Sequence, residues 1–241
     1  MARQIVAECA EPQCLGDAMD LMNLLRSAEA LLYEIVSWLI FYPLTFWRCV
    51  THPVRMMIYA ERELTDPPEE QFVDTVSPPL FLFLTLVIAH LFQMNIGAAQ
   101  PELSGVLSDD RNLLLFRAVI FSLLPLLVGI QRVHQKNQKL TRSTLRPAFY
   151  SQCYLAAPFT LSLDMALMIG QLDHAWSSIT AWTLFLAGLI WYLGALTEWF
   201  AVHGPMRRLR GFALSLGTVL VGGLIALSVL IPVALVTVST R

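Results

Sequence analysis

The sequence predicts an all-α fold: a polytopic membrane helix bundle of five transmembrane helices preceded by an interfacial amphipathic or aromatic helix. Three observations predict it. Of 241 residues, 56% are hydrophobic and 14% are charged, whereas soluble domains carry about a quarter charged residues. The apolar residues fall in long blocks and not at one-face helical spacing. A hydrocarbon core about 30 Å thick needs roughly 20 such residues in a helix, with every peptide group hydrogen-bonded internally. Finally, Lys and Arg alternate from loop to loop, as they do in multi-pass proteins.

Residues 1–77 are expected to be a cytoplasmic N-terminal region, and residues 78–241 the transmembrane domain. The opening MARQIVAECAEPQC lacks a basic segment followed by an apolar core and a small-residue cleavage site, so no cleavable signal is expected. Residues 1–30 read as a short acidic, partly helical segment, with Met19, Leu21, Met22, Leu24 and Leu25 as one apolar stripe. Next comes YEIVSWLIFYPLTFWRCVTHP. Its uninterrupted apolar run, 35–47, is 13 residues long, which is short for a span. Pro43 removes a backbone donor halfway along it. Trp38, Tyr42 and Trp47 suit the headgroup boundary. An interfacial helix over about 30–50, bent at Pro43, is expected, although it lacks a clear polar face. The stretch HPVRMMIYAERELTDPPEEQFVDTVSPP, residues 52–79, carries six acids against one base from 61 to 74 and is punctuated by Pro67, Pro68, Pro78 and Pro79. That stretch is expected to be a solvated connector.

Five blocks then read as spans: 79–98, 112–133, 148–170, 178–202 and 212–238. The loop after the second holds Arg132, Lys136, Lys139, Arg142 and Arg146, and the loop after the fourth holds Arg207, Arg208 and Arg210. Both are expected in the cytoplasm, with GQLDHAWSS and the C-terminus on the other side. The N-terminus is then cytoplasmic if the aromatic stretch does not cross, and external if it does. The localisation implied is the bacterial inner membrane, with a periplasmic C-terminus.

Ionisable residues inside a span are costly and mark candidate functional groups. Four stand out: His90, Arg117, Asp164 and Glu198. Arg117 and Asp164 each lie about five residues outward of the centre of their helix, roughly 7 Å from the midplane, so they could pair at a common depth. Such a pair either holds two helices in register or lines a polar pathway. His90, followed by Gln93 and Asn95, gives the first span a polar patch. It is either a hydrogen-bonded packing residue or a proton relay. Glu198 is expected to pair with a base from a cytoplasmic loop. In the last span Gly211, Ser215, Thr218, Gly222 and Ala226 recur every three or four residues and form a helix-packing face, with neighbours in the same chain favoured over a second protomer.

No catalytic or phosphate-gripping motif is present, so no enzymatic activity is expected. Cys9, Cys14, Cys49 and Cys153 lack the paired spacing of a zinc site, and neither metal nor cofactor is expected. The basic loops suit anionic lipid headgroups and give no further support to nucleic-acid binding. Membrane lipids, protein partners or a homo-oligomer are the expected partners.

The aromatic-proline stretch FYPLTFWRCVTHP, together with TLRPAFYSQCYLAAPFTLSLDMAL, resembles the Yip family of five-helix membrane proteins, in the form found as bacterial proteins often called permeases. In that family a basic loop leads into a tyrosine and then a proline in the third span. Tyr150, Tyr154 and Pro158 fit this arrangement. The resemblance implies a cytoplasmic N-terminus and no catalytic residues. Two functions stay open: a noncatalytic protein that organises or assists membrane partners, and a small oligomeric transporter or channel using His90, Arg117 and Asp164.

Overall fold

The computed structural model describes residues 12–96, 110–203 and 208–239. The described chain is predominantly helical, without strands among the described residues. Among the described residues seven helices follow one another: α1 (Pro12–Thr51), α2 (Pro53–Glu63), α3 (Pro78–Ile96), α4 (Asp110–Gln135), α5 (Arg142–Gly170), α6 (Ser177–His203) and α7 (Arg208–Ser239). Six of them are long and apolar enough to cross a membrane, the exception being α2. The protein is a multi-pass membrane protein of the all-α class.

Helices α3 to α7 coincide with the five apolar blocks, with polar extensions at their ends. Outside hydrocarbon a charged residue costs a helix nothing, so α5 begins at Arg142, six residues before its apolar block. Its start is fixed by a capping box: Thr141 accepts from the Thr144 amide, and the Thr144 side chain takes the Thr141 amide.

The first helix differs from expectation in length. It runs unbroken for 40 residues through Pro43, and its membrane-length portion, Arg26–Thr51, has 26 residues against the 13 of the uninterrupted apolar run. A mid-helix proline removes the hydrogen bond to the carbonyl four residues earlier, here Leu39, and its ring crowds that carbonyl, yet the helix continues through it. The described residues divide at Leu44 into two compact units. In the first, Leu31, Leu32, Ile35, Val36, Leu39 and Ile40 are all exposed. Trp38 and Tyr42 are part-exposed, and Pro43 is exposed.

The second unit, from Thr45 onward, holds the bundle. At its centre is α5, whose residues 151–160 are all buried; α2, α3, α4 and α6 pack around it. An apolar cluster joins Phe159 of α5, Tyr192 and Trp199 of α6, Val128 of α4 and Met57 of α2. Phe159 and Tyr192 stack at 4.9 Å between ring centroids. The α5–α6 approach is close because Gly188 faces Ser162, where even a Cβ would collide.

The segment expected to be a solvated connector is ordered structure. His52 lies outside the α region at φ −135, ψ 58, as the proline that follows it requires. Pro53 then opens α2, which buries Met56, Met57 and Ala60. After α2 the chain folds back on itself. Phe72 takes φ 57, uncommon for a non-glycine, and its amide donates to the Glu63 carboxylate at 2.7 Å. The signal in the sequence was the 54, 57, 60 spacing of Val54, Met57 and Ala60, which the acid-rich stretch that follows it masks.

Candidate functional site

Three helices meet through one arginine. Asp164 sits on the enclosed helix α5 with its side chain 4% exposed, and Arg117 of α4 reaches it with Nη2 at 2.7 Å from Oδ1. The other terminal nitrogen, Nη1, donates to Gln93 Oε1 of α3 at 3.0 Å. His90 is one turn before Gln93 on α3, about 4.5 Å along the axis, and is itself buried. The structure thus brings Arg117 and Asp164 together at the common depth their positions imply, and adds Gln93. Among the described residues, Asp164 Oδ2, His90 Nδ1 and Thr160 Oγ1, one turn before Asp164 on α5, have no hydrogen-bond partner. A charge-assisted pair of this length is strong where water is excluded. Its unpartnered oxygen carries an uncompensated desolvation cost.

Glu198 stays apart from this cluster. It pairs with Arg208 at 3.5 Å, with side chains 48% and 77% exposed, and such surface pairs contribute at most about 1 kcal/mol. The small-residue stripe of α7 faces neighbours within the chain. A Cβ at Gly211 would lie 3.3 Å from the Thr197 carbonyl of α6, and one at Gly222 would lie 2.7 Å from Leu124 Cδ2 of α4. Ser215 is fully buried. Thr218 donates its hydroxyl to Gln131 Oε1 of α4 at 2.6 Å or to its own Leu214 carbonyl at 2.8 Å. Ala226 is half-buried.

At the opposite end of α5 lies a second polar cluster. Asp74 takes Arg48 Nη1 at 3.3 Å on Oδ2 and the Tyr59 hydroxyl at 2.6 Å on Oδ1. Tyr154, buried on α5, donates to the Val76 carbonyl at 2.7 Å. Thr75 lies between the two phenols, 3.2 Å from Tyr59 and 3.1 Å from Tyr154. Both phenolic hydrogens are committed elsewhere, so the single hydrogen of Thr75 serves one of the two oxygens. The Val76 amide donates to Thr45 Oγ1 at 3.3 Å. The loop 64–77 is therefore fastened to α1, α2 and α5 at once. The hydrogen bond from Tyr59, aided by Arg48, holds the Asp74 carboxyl below its usual range against partial burial. Burial and the Asp74 hydrogen bond push the Tyr59 phenol up.

Of the residues singled out by the family resemblance, Tyr154 belongs to this network, Pro158 is buried within α5, and Tyr150 lies half-buried with the Arg146 guanidinium 5.2 Å from its ring centre. Trp47 is exposed. The Trp191 indole donates to the Val50 carbonyl at 3.1 Å and ties the last turn of α1 to α6. Sequence reasoning missed Arg48, Tyr59, Asp74 and Thr75 as a group. Nothing in their spacing over 27 residues brings them together without the fold-back after α2. Cys49 and Cys153 are free and buried. Among the described residues no three His, Cys, Asp or Glu side chains gather as a metal-binding group. Cys9 lies outside the described residues. No family model, curated protein or solved structure matches this chain.

Proposed function

We propose that the protein is a noncatalytic inner-membrane protein of the Yip-like kind that organises or assists membrane partners, with lysine- and arginine-bearing loops and N-terminus in the cytoplasm and C-terminus in the periplasm. The observation that carries this reading is the use to which the intramembrane charge is put. Both terminal nitrogens of Arg117 are engaged, one by Asp164 and one by Gln93, so the pair acts as a strut joining α3, α4 and α5.

A strut and a transport site respond differently to substitution. Removing one partner of a buried pair leaves an uncompensated charge, at about 3–5 kcal/mol, whereas replacing both with apolar residues is often neutral. Arg117→Met and Asp164→Leu, made singly, are expected to lower the melting temperature in detergent, and the double variant to recover it. Single variants that melt like the parent would sink the strut. A photo-crosslinker at the exposed Leu39 of α1, activated in the native membrane, is expected to give a protein adduct of defined mass. Lipid adducts alone would count against a partner-assisting role.

The second reading is a small oligomeric transporter or channel. It is favoured by the unpartnered Asp164 Oδ2, His90 Nδ1 and Thr160 Oγ1, which leave a carboxylate oxygen and an imidazole nitrogen inside the bundle as proton-accepting groups. It predicts that His90→Gln and Asp164→Asn abolish proton flux into proteoliposomes under a pH gradient while the protein remains folded.

A further inference from the structure

Between Asp110 and Asp164 the chain carries no acidic residue, and four cations, Lys136, Lys139, Arg142 and Arg146, fall within eleven residues around the turn from α4 to α5. All four are exposed. Among the described residues the side chains of Lys136, Lys139 and Arg142 make no ion pair or hydrogen bond, and Arg146 rests against the Tyr150 ring at 5.2 Å. The Glu61 carboxylate of α2 interacts electrostatically with Arg132, and these two line one cavity of about 250 Å³ together with Lys136. That acid is matched inside the fold, and the charge of the turn itself is left to the surroundings.

The turn is pinned on both sides. After α4 the chain reverses at Asn137, φ 50, where the Gln138 amide bonds back to the Val133 carbonyl at 3.2 Å and the Asn137 amide to the His134 carbonyl at 3.0 Å. On the other side the Thr144 hydroxyl donates to the Lys139 carbonyl at 2.8 Å and its amide to Thr141 Oγ1 at 3.3 Å. Binding on such a frame orders the side chains alone, which keeps its entropy cost low. At the tip, between Lys139 and Arg142, Leu140 is 58% exposed. An apolar side chain flanked by cations suits a surface that is apolar beneath and anionic on top.

Depth points the same way. The apolar block of α4 ends at Val133 and that of α5 begins at Ala148. Lys136 thus stands about 4.5 Å beyond the hydrocarbon and Arg146 about 3 Å, within a headgroup layer about 5–7 Å thick on each side of the membrane. Arg142, about 9 Å out, reaches back along its flexible stem. The other basic loop is built differently, since Arg208 there is paired with Glu198 at 3.5 Å.

We propose that the turn between α4 and α5 is a docking surface for anionic phospholipid, with Lys136, Lys139, Arg142 and Arg146 against the phosphate and Leu140 in the headgroup boundary. The choline headgroup brings its own cation to the cluster and cancels much of the attraction; a glycerol headgroup brings none. An acidic protein segment or a nucleic acid would meet the four cations equally well, but would leave Leu140 in water. The inference rests on the cytoplasmic placement of this turn only for the leaflet that supplies the lipid.

The test is native mass spectrometry of the full chain, released from detergent with equimolar phosphatidylglycerol and phosphatidylcholine of the same acyl chains. Phosphatidylglycerol is expected to be retained over phosphatidylcholine by about fivefold or more. Lys136→Gln, Lys139→Gln and Arg142→Gln combined should bring the two lipids to equal retention, whereas Arg210→Gln, at an exposed cation of the other basic loop, should leave the preference intact. A bimane label on Leu140→Cys, in a chain carrying Cys9→Ser and Cys14→Ser with the remaining cysteines buried, should shift its emission to the blue in nanodiscs containing phosphatidylglycerol and not in phosphatidylcholine alone. Equal retention by the unaltered chain, a preference that survives the triple change, one lost as fully with Arg210→Gln, or a label that stays in water would each overturn the proposal. Should the triple variant fail to fold, the lipid ranking, Arg210→Gln and the label decide the matter. None of these readouts depends on sidedness, which maleimide labelling of Lys139→Cys in intact cells tests by itself.

Discussion

Tyr154 shows how much a single hydroxyl can hold. It is buried on α5 and supplies the hydrogen for the Val76 carbonyl. Tyr154→Phe keeps the ring and strands that carbonyl, and an orphaned buried group costs about 1–3 kcal/mol. The expected result is a lower melting temperature, with faster amide exchange confined to residues 64–77. Tyr59 and Asp74 set the pH window of the same loop. The folded Asp74 carboxyl titrates below its ordinary value. Its contribution is therefore complete above the unfolded carboxylate range and is lost as pH falls through the folded value. The Tyr59 phenol titrates above its ordinary value, so its contribution is complete below the unfolded phenol range and fades as pH rises through the folded one. Because Asp74 is 61% exposed, the acid arm is worth under about 1 kcal/mol. Amide exchange across the loop, corrected for its intrinsic pH dependence, should accelerate on acidification in the parent and be indifferent to the same change in Asp74→Asn.

Among the elements, the α5–α6 pair is the most sensitive to volume. A methyl group at Gly188 collides with Ser162, whereas one at Gly194, two turns on, meets open space. Gly188→Ala is expected to destabilise by about 1–3 kcal/mol through overpacking. Gly194→Ala should be neutral or stabilising, by up to about 1 kcal/mol, because alanine is the better helix former. Opposite shifts in melting temperature would verify the approach, and equal shifts would refute it. The sequence announced α3 to α7 because each carries a long apolar block, and such blocks have few alternatives in a membrane. It also placed Arg117 and Asp164 at one level, since depth follows from counting residues along a helix. Gln93 was legible only as part of a polar patch, because which side of α3 faces α4 is decided by packing. Helix α2 was hidden by the acid-rich stretch that begins at its end, and the cavity lined by Glu61 and Arg132 joins residues 71 positions apart.

At the scale of the molecule, the open variable is the side on which α1 begins. Glu34, Pro43 and the aromatic residues at 38, 42 and 47 support a helix along the inner boundary. Its length, 26 residues in the membrane-length portion, or about 39 Å, suits a crossing of the bilayer equally. In a chain with Cys9 and Cys14 replaced by serine, Asp20→Cys is expected to resist a membrane-impermeant maleimide applied to intact cells. External labelling would add a sixth span and move the N-terminus to the outer face, while leaving the sidedness of every later loop unchanged. That invariance follows from the lysine and arginine distribution, from which the expected sidedness of the loops beyond α1 is the same whichever path α1 takes.

The hydroxyl of Thr75 lies between two phenolic oxygens at nearly equal distances, 3.2 and 3.1 Å, and has one hydrogen to give. It is in effect a two-position rotor. Turning it transfers a hydrogen bond from α2 to α5 without moving a heavy atom. The phenols of Tyr59 and Tyr154 are therefore coupled in opposite senses: whichever one receives, the other goes without. A valine at position 75 would stop the rotor, and the two tyrosines would then respond independently to any change in the loop they share.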